Sequence, residues 1–533
     1  MALLLFCLAY VLPGLFARDP WKNADITAFG YMVNVAQGHA PWGSPSIAGL
    51  LSDGALLPYW LGAVFIKLFG GWFGPALAAR IPFAVLLVLA LALTWRSTFC
   101  LARSDAAQPL PFAFGGEADP LAYARAIADG ALLALIASLG LLQLGHETTP
   151  ELAQLTSVSL FLYGLAASTS DGLRSKLAVL VALPALAASG APSIALTLGA
   201  VGLLVCRVSP SASDRAFWPW VMASSLLCAF IAWWLHVWGW RFAGVQSITQ
   251  FTALLKQLAW FLWPAWPLAC WTLWRWRKHL FERHILIPLS GALVAICAWV
   301  AMGGWDRALM LALPPLAVLA AFALPTLRRS TAAAIDWFSV FFFSACALAI
   351  WVIYIAMQTG VPRQPAANVS RLIAGFTPQF SLLAMLVAAA GTFAWLWLVK
   401  WRTGRNRHPL WKSLVLPASG VALCWLLLMT LWLPALDYAR SYRPLVERIA
   451  RHIPRGACVS ARGVPRGQLV ALEHFGGYAV DAVTPADTSR CDFLVQTETR
   501  QRSRAPAGGW VLVARERRPT DKDDVTAIYR RRS

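Results

Sequence analysis

The hydrophobic positions fall into thirteen long apolar runs separated by short polar loops, a pattern whose run length is set by hydrocarbon thickness and not by a soluble core. The runs lie at roughly 1–16, 79–96, 121–144, 150–169, 177–188, 191–206, 216–235, 258–274, 285–302, 308–326, 335–356, 378–399 and 412–433. The fifth and sixth are short and meet at "SGAPS" (189–193), which predicts a tight turn between antiparallel helices. Residues 1–16 have no basic n-region and no A-x-A pattern after them, so they are expected to be a retained first helix and not a cleaved signal peptide.

Two segments break the pattern. The loop from about 17 to 78 carries "DITAFGYMVNVAQG" and "LLPYWLGAVFIKLFG", with aromatic and apolar residues at helical spacing interrupted by Gly and Pro. Helices lying in the membrane interface are expected there, the second being short for a span. The tail, about 437–533, changes composition abruptly. "SYRPLVERIARHIP" predicts an amphipathic helix, "GACVSA", "CDFLVQT" and "GWVLVARERR" predict strands, and "RGQLVALEHFGG" a helix between them. The expected architecture is therefore mainly α: a polytopic bundle over 1–436 and a small α/β domain over 437–533.

Loop charge sets the expected orientation. One alternate set of loops holds Arg96 and Arg103, Arg174 and Lys176, Arg207 and Arg215, "RWRKHLFER", Arg328 and Arg329, and "KWRTGRNRHPLWK". That set is far richer in Lys and Arg than the other and is expected to face the cytoplasm, with the opening loop and the tail outside. Composition agrees with a membrane protein: 59% of 533 residues are hydrophobic and 13% charged, with a mean hydropathy of +0.60. The net charge of +20 is spread over these loops and not gathered on a soluble face, which argues against nucleic acid as a partner. Cys458 and Cys491 open two of the tail strands in an expected oxidising compartment. A disulfide between them and two free thiols are both open readings.

Charged side chains beside a membrane are costly and so point to chemistry. On the outer side stand Asp19, Asp25, Asp53, Glu147, Glu151 and Asp306, with Arg18, Lys22, Lys67, Arg80, Arg241, Lys256, Arg307, Arg363 and Arg371, and with His39, His146 and His236. A carboxylate can take the proton of an incoming hydroxyl. Arg or Lys can hold a phosphate leaving group in a dry site. Each residue also has a plainer role: Asp25 as a helix cap, Asp19 in a turn before Pro20, Arg80 snorkelling, Glu151 complementing a helix dipole, and Arg307 paired with Asp306. No H-E-x-x-H or C-x-x-C is present, so no cofactor or metal site is legible, and dependence on a divalent metal is left open. "GGEADP" (115–120) lacks a following G-K-[ST] and is no phosphate loop.

"LLPYWLGAVFIKLFG" followed by "ALAARIPFAVLLVLAL", "GHETTPELAQLTSVSLFLYGL" and "DRALMLALPPLAVLAA" together resemble the GT-C lipid-linked sugar transferases. That family is typified by the protein O-mannosyltransferases and the aminoarabinose transferase of lipid A. The resemblance covers most of the chain. It implies transfer, with inversion, from a sugar on a polyprenyl phosphate to lipid A, another glycan or a protein, at the periplasmic face of a bacterial inner membrane, by a monomer. It puts Asp25, Asp19 or Glu151 in the catalytic role. Arg80 and Arg307 become the phosphate ligands, with Lys22, Asp53, Tyr59, Lys67, His146, Glu147 and Arg241 around the substrate. The family's Lys before "LLPYW" and another between the fifth and sixth spans are absent here. The rival reading is a transporter or flippase for a lipid-linked or anionic substrate. A third is a membrane assembly factor whose tail domain is the working part.

Overall fold

A computed structural model describes residues 2–108, 119–209, 212–238, 243–244, 247–403, 412–499, 509–521 and 524–532. All thirteen apolar runs contain helix. Among the described residues, eight helices are long and apolar enough to cross a bilayer, or nine if the pair Val415–Leu431 and Leu433–Arg440, bent by 77°, is one span. The remaining runs are shorter or broken where Gly and Pro punctuate them. Helix Leu56–Phe73, expected to be interfacial, is 18 residues long and meets the same length and hydropathy test. It ends at Gly74 (φ +78°), and Pro75 opens the next helix, Pro75–Ala102. Glycine tolerates the left-handed turn, and proline lacks only an N–H that no helix start could use.

The centre of the bundle is 306–326, where "LPPLAVLAA" is buried on all sides against helices Pro120–Ala137, Ala265–Arg275 and Arg283–Ala301. The outermost helices, Arg329–Thr359 and Leu382–Thr403, present Phe341, Leu383, Phe393 and Trp397 outward, as lipid requires. "SGAPS" forms the expected tight turn between Gly172–Ala188 and Pro192–Val208. Gly190 (φ +88°) there lies against Ala55 of the first loop, where a Cβ would come within 3.2 Å.

Among the described residues the tail holds five strands where three were expected, and a two-stranded hairpin precedes them in the first loop. In chain order, β1 (Ser46–Ile47) and β2 (Leu50–Leu51) form the hairpin. β3 (Cys458–Ser460), β4 (Ala479–Asp481), β5 (Phe493–Thr499), β6 (Trp510–Glu516) and β7 (Asp524–Arg531) form a sheet of order β4-β3-β5-β7-β6. β3 is parallel to β4 and β5, and β7 is antiparallel to β5 and β6. Helix Arg466–His474 connects β3 to β4. Strands β4 and β7 were not expected. β4 is only three residues long, and β7 lies in a charge-rich terminus that hides its alternation.

Cys458 and Cys491 are bridged. The bond staples β3 to the start of β5 across a separation of 33 residues, a loop whose closure stabilises by about 3 to 4 kcal/mol. Replacing both cysteines by Ser is expected to lower the unfolding free energy of the tail by that amount, read as a lower urea midpoint at unchanged m-value. An unchanged midpoint would show the bond to be mechanically idle.

Candidate active site

The site begins with helix Ala24–Ala36, a piece of the first loop that is buried on nearly all sides, against helix Leu56–Phe73 and tail helix Arg466–His474, where an interfacial helix was expected. Ala24, Thr27, Ala28 and Tyr31 fall at i, i+3, i+4 and i+7 and so share one face. That face lines a cavity of about 670 Å³. Its other walls are Asp53, Ala55 and Tyr59, the start of helix Pro150–Ala166 (Pro150, Glu151, Gln154), the 189–194 turn, and Trp305 with the end of Arg283–Ala301. Thr197 and Cys297, on neighbouring helices Pro192–Val208 and Arg283–Ala301, both line the cavity and are exposed, so the cavity opens sideways between these helices. Ile194, Val294, Ala298 and Ala301 make that opening apolar.

Of the expected residues, Glu151, Asp53 and Tyr59 line the cavity. Glu151 is 6% exposed, at the first turn of its helix, within electrostatic reach of Arg307. The Tyr59 ring lies 4.9 Å from that of Tyr31. Burial pushes the Tyr31 phenol up to about 12, so it keeps its proton. It accepts a 2.7 Å hydrogen bond from Arg466 Nη1.

Asp25, Arg80, His146, Glu147 and Arg307 do not line the cavity; they form two buried clusters behind it. Asp25 accepts from Thr148 N and Thr148 Oγ1 at 2.8 Å each, from Trp21 N at 3.0 Å and from Arg18 Nη2 at 3.3 Å. Arg80 sits beside this cluster and donates to Leu15 O. Arg18 also donates to His146 O at 2.9 Å. Both His146 nitrogens face carbonyls, of Leu142 and Tyr10, but burial pushes its pKa down to about 4, so the neutral ring donates to one of them. The second cluster is Arg307 on Glu147 Oε2 at 2.5 Å and on Thr149 Oγ1 at 3.2 Å, with Gln143 donating to Glu147. Arg18 and Arg307 pair with carboxylates in the wall, as buried charges require, whereas Arg80 makes one 3.4 Å contact with Leu15 O and keeps its Nη2 buried without a hydrogen-bond partner among the described residues. The expected phosphate grip by Arg80 and Arg307 therefore has no counterpart on the cavity surface.

Asp19 and Lys22 are placed elsewhere, in the joint with the tail. Asp19 takes a bidentate pair from Arg443 (2.6 and 2.8 Å) and a bond from Ser441 Oγ. Lys22 pairs with Asp521 at 3.2 Å. Lys67 is exposed on helix Leu56–Phe73, away from the cavity. Arg241 lies outside the described residues. The same joint holds Glu473, which accepts from Asn34 Nδ2 and from Ala48 N at the hairpin turn. Burial raises the Asp19 pKa, but the Arg443 hydrogen bonds and charge outweigh it and the net shift is downward. A lowered carboxyl contributes stability above its unfolded value, near 3.8, and loses it as pH falls through the folded value. Tail docking is thus expected to loosen below about pH 4, read as faster proteolysis at 441–443, and Asp19→Asn is expected to weaken that pH dependence, leaving the part carried by Asp521, whose carboxyl burial would raise but Arg518 and Lys22 hold low.

Sequence reasoning missed Arg466, Tyr31, Gln154 and Trp305. Arg466 is the first residue of helix Arg466–His474, and it reaches the cavity because that helix packs tightly on Ala24–Ala36. A Cβ at Gly30 would lie 2.2 Å from Val470, and one at Gly467 would lie 3.0 Å from Ile26. No local pattern marks such a residue; only the glycine opposite the valine signals close approach.

No family model matches the chain, and no curated protein matches it. Solved structures do. The crystal structure of ArnT from Cupriavidus metallidurans bound to undecaprenyl phosphate superposes with a TM-score of 0.66 at 14% identity, over 99% of this chain and 97% of that one. The apo state of ArnT gives 0.64 at 15%, with the same coverage. The sequence resemblance to the GT-C transferases thus holds at the level of fold: from the first helix to the tail sheet, this chain is built on the ArnT architecture.

Proposed function

We propose that the protein is an integral membrane glycosyltransferase that moves a sugar from a polyprenyl-phosphate donor to an acceptor hydroxyl. One observation carries the reading: a cavity that is apolar where it opens between two helices bears two carboxylates, Glu151 and Asp53, elsewhere on its wall. A prenyl chain fits the opening and a sugar fits the polar end. The structural likeness to ArnT, which was crystallised with undecaprenyl phosphate, supports a donor of this class. Loop charge supports a site at the periplasmic face of a bacterial inner membrane, with the tail on that side and the N-terminus inside. The acceptor is lipid A, another glycan or a protein.

In the reaction, the acceptor oxygen attacks the anomeric carbon as its bond to the phosphate oxygen breaks. The hydroxyl proton passes to Glu151, the lipid phosphate leaves with the bonding pair, and the configuration inverts. Asp53 orients the sugar hydroxyls, and the Tyr31 and Tyr59 rings, tilted 37° to each other, supply apolar contact. Asp25 and Asp19 act indirectly, by holding the cavity wall and the tail.

Membranes containing the protein are expected to transfer label from radiolabelled polyprenyl-phosphate sugars to an endogenous acceptor, and control membranes are not. Movement of intact donor across the bilayer with no transfer would favour the flippase reading instead.

A further inference from the structure

Arg466 is the only Lys, Arg or His among the described residues that line the cavity. It comes from the tail domain, 435 residues away from its contact Tyr31. Its Nη1 makes both side-chain hydrogen bonds found among the described residues, to Tyr31 Oη at 2.7 Å and to Asp53 Oδ1 at 3.0 Å. The Asp53 side chain is 61% exposed and that of Arg466 33%. A pair this open to solvent contributes little and exchanges readily. A phosphodiester entering beside Asp53 and Glu151 meets two carboxylates, and its binding requires a cation on the same surface. Arg307 is paired with Glu147 inside the wall and Arg80 is buried behind it, and neither lines the cavity.

We propose that Arg466 is the ligand for the phosphate of the lipid-linked donor, supplied across the domain joint by the tail. This rests on the proposed function. With the cavity empty, Arg466 rests on Asp53 and Tyr31. When the donor enters, its guanidinium exchanges Asp53 for a phosphate oxygen, and Tyr31 keeps its orientation. The exchange gives up the contact between Arg466 and Asp53 Oδ1. The tail domain is then part of the binding site, and the tight Gly30–Val470 and Gly467–Ile26 contacts serve to fix one arginine over the cavity.

The test is binding of purified full-length protein in nanodiscs to polyprenyl phosphate, to the uncharged polyprenol and to inorganic phosphate. Wild type is expected to prefer polyprenyl phosphate to both. Arg466→Ala is expected to bind polyprenyl phosphate about 10- to 100-fold more weakly, the loss of one charge-assisted hydrogen-bonded contact. Its polyprenol binding is expected to be unchanged and its melting temperature close to wild type. Arg466→Lys is expected to recover part of the loss, and Asp53→Asn, which removes the competing carboxylate, to bind polyprenyl phosphate several-fold more tightly. Wild-type preference kept intact in Arg466→Ala would overturn the assignment of Arg466 and leave the transferase reading standing. No wild-type preference for polyprenyl phosphate over polyprenol, or equal binding of inorganic phosphate, would overturn both.

Discussion

Glu151→Gln is expected to lower sugar transfer by about 10²- to 10⁴-fold, the range for loss of a positioned general base. The substitution keeps the size and shape of the side chain and removes only the basic oxygen. Glu151 is buried in the cavity wall at the first turn of helix Pro150–Ala166. A carboxylate fixed there is held by the backbone of a rigid element and not by a mobile loop. The alternative is that Glu151 serves as a counter-charge for Arg307. Arg307 already has Glu147 at 2.5 Å and Thr149 at 3.2 Å, so it stays partnered when Glu151 is neutral. The melting temperature is therefore expected to move little while kcat falls and the donor affinity holds. Asp53→Asn should fall far less in kcat, since Asp53 is largely exposed and engaged with Arg466. Single-turnover transfer with a radiolabelled donor separates the two. Wild-type kcat in Glu151→Gln would remove this residue from the chemistry and move the role to Asp53.

The fold was legible because its two strongest signals are local. Apolar runs and loop charge both survive without knowledge of neighbours, and "SGAPS" announced its turn by composition alone. Strand β7 failed that test: "DVTAIYRR" is flanked by charge, and it is a strand only because β5 and β6 close on either side of it. The site was half legible. Acids in the outer loops were visible as a group, but which cation each would meet was not. Asp19, Lys22 and Asp25 looked alike on the page. One went to Arg443, one to Asp521 and one to Arg18 with Thr148, all for reasons of tertiary packing. Docking a soluble domain on a membrane bundle uses the same charged residue types as catalysis does, so composition cannot separate the two. Arg466 shows the reverse failure: the sequence marks it only as the start of the expected helix "RGQLVALEHFGG", and only the packing of that helix on Gly30 gives it a place.

Asp25→Ala is expected to destabilise the bundle by about 3 to 5 kcal/mol, the cost of leaving a buried charge without its partner. Asp25 is 1% exposed, and it is the hub that joins the first loop to the 145–149 loop. Burial alone would raise its pKa, but the charges of Arg18 and Arg80 and the Thr148 and Trp21 N–H groups outweigh burial and hold it below the usual carboxylate value of 3.8. It is ionised at neutral pH. Removing it leaves Arg18 packed over the Trp21 ring at 4.5 Å with only the His146 carbonyl as acceptor. Arg80 would then face Arg18 with Asp437 and Asp19 as its remaining counter-charges. The void beside Arg80 is about 20 Å³, room for one water, and a neutral water does not replace the lost charge. The measurement is the denaturant midpoint of the purified protein, followed by tryptophan fluorescence. Transfer should fall in parallel, as folded protein is lost, and not in excess of it. The double variant Asp25→Asn with Arg18→Gln removes both charges together and should recover part of the stability. Recovery of stability without recovery of transfer would return Asp25 to the catalytic machinery, because a wall residue has nothing else to contribute once the wall is restored.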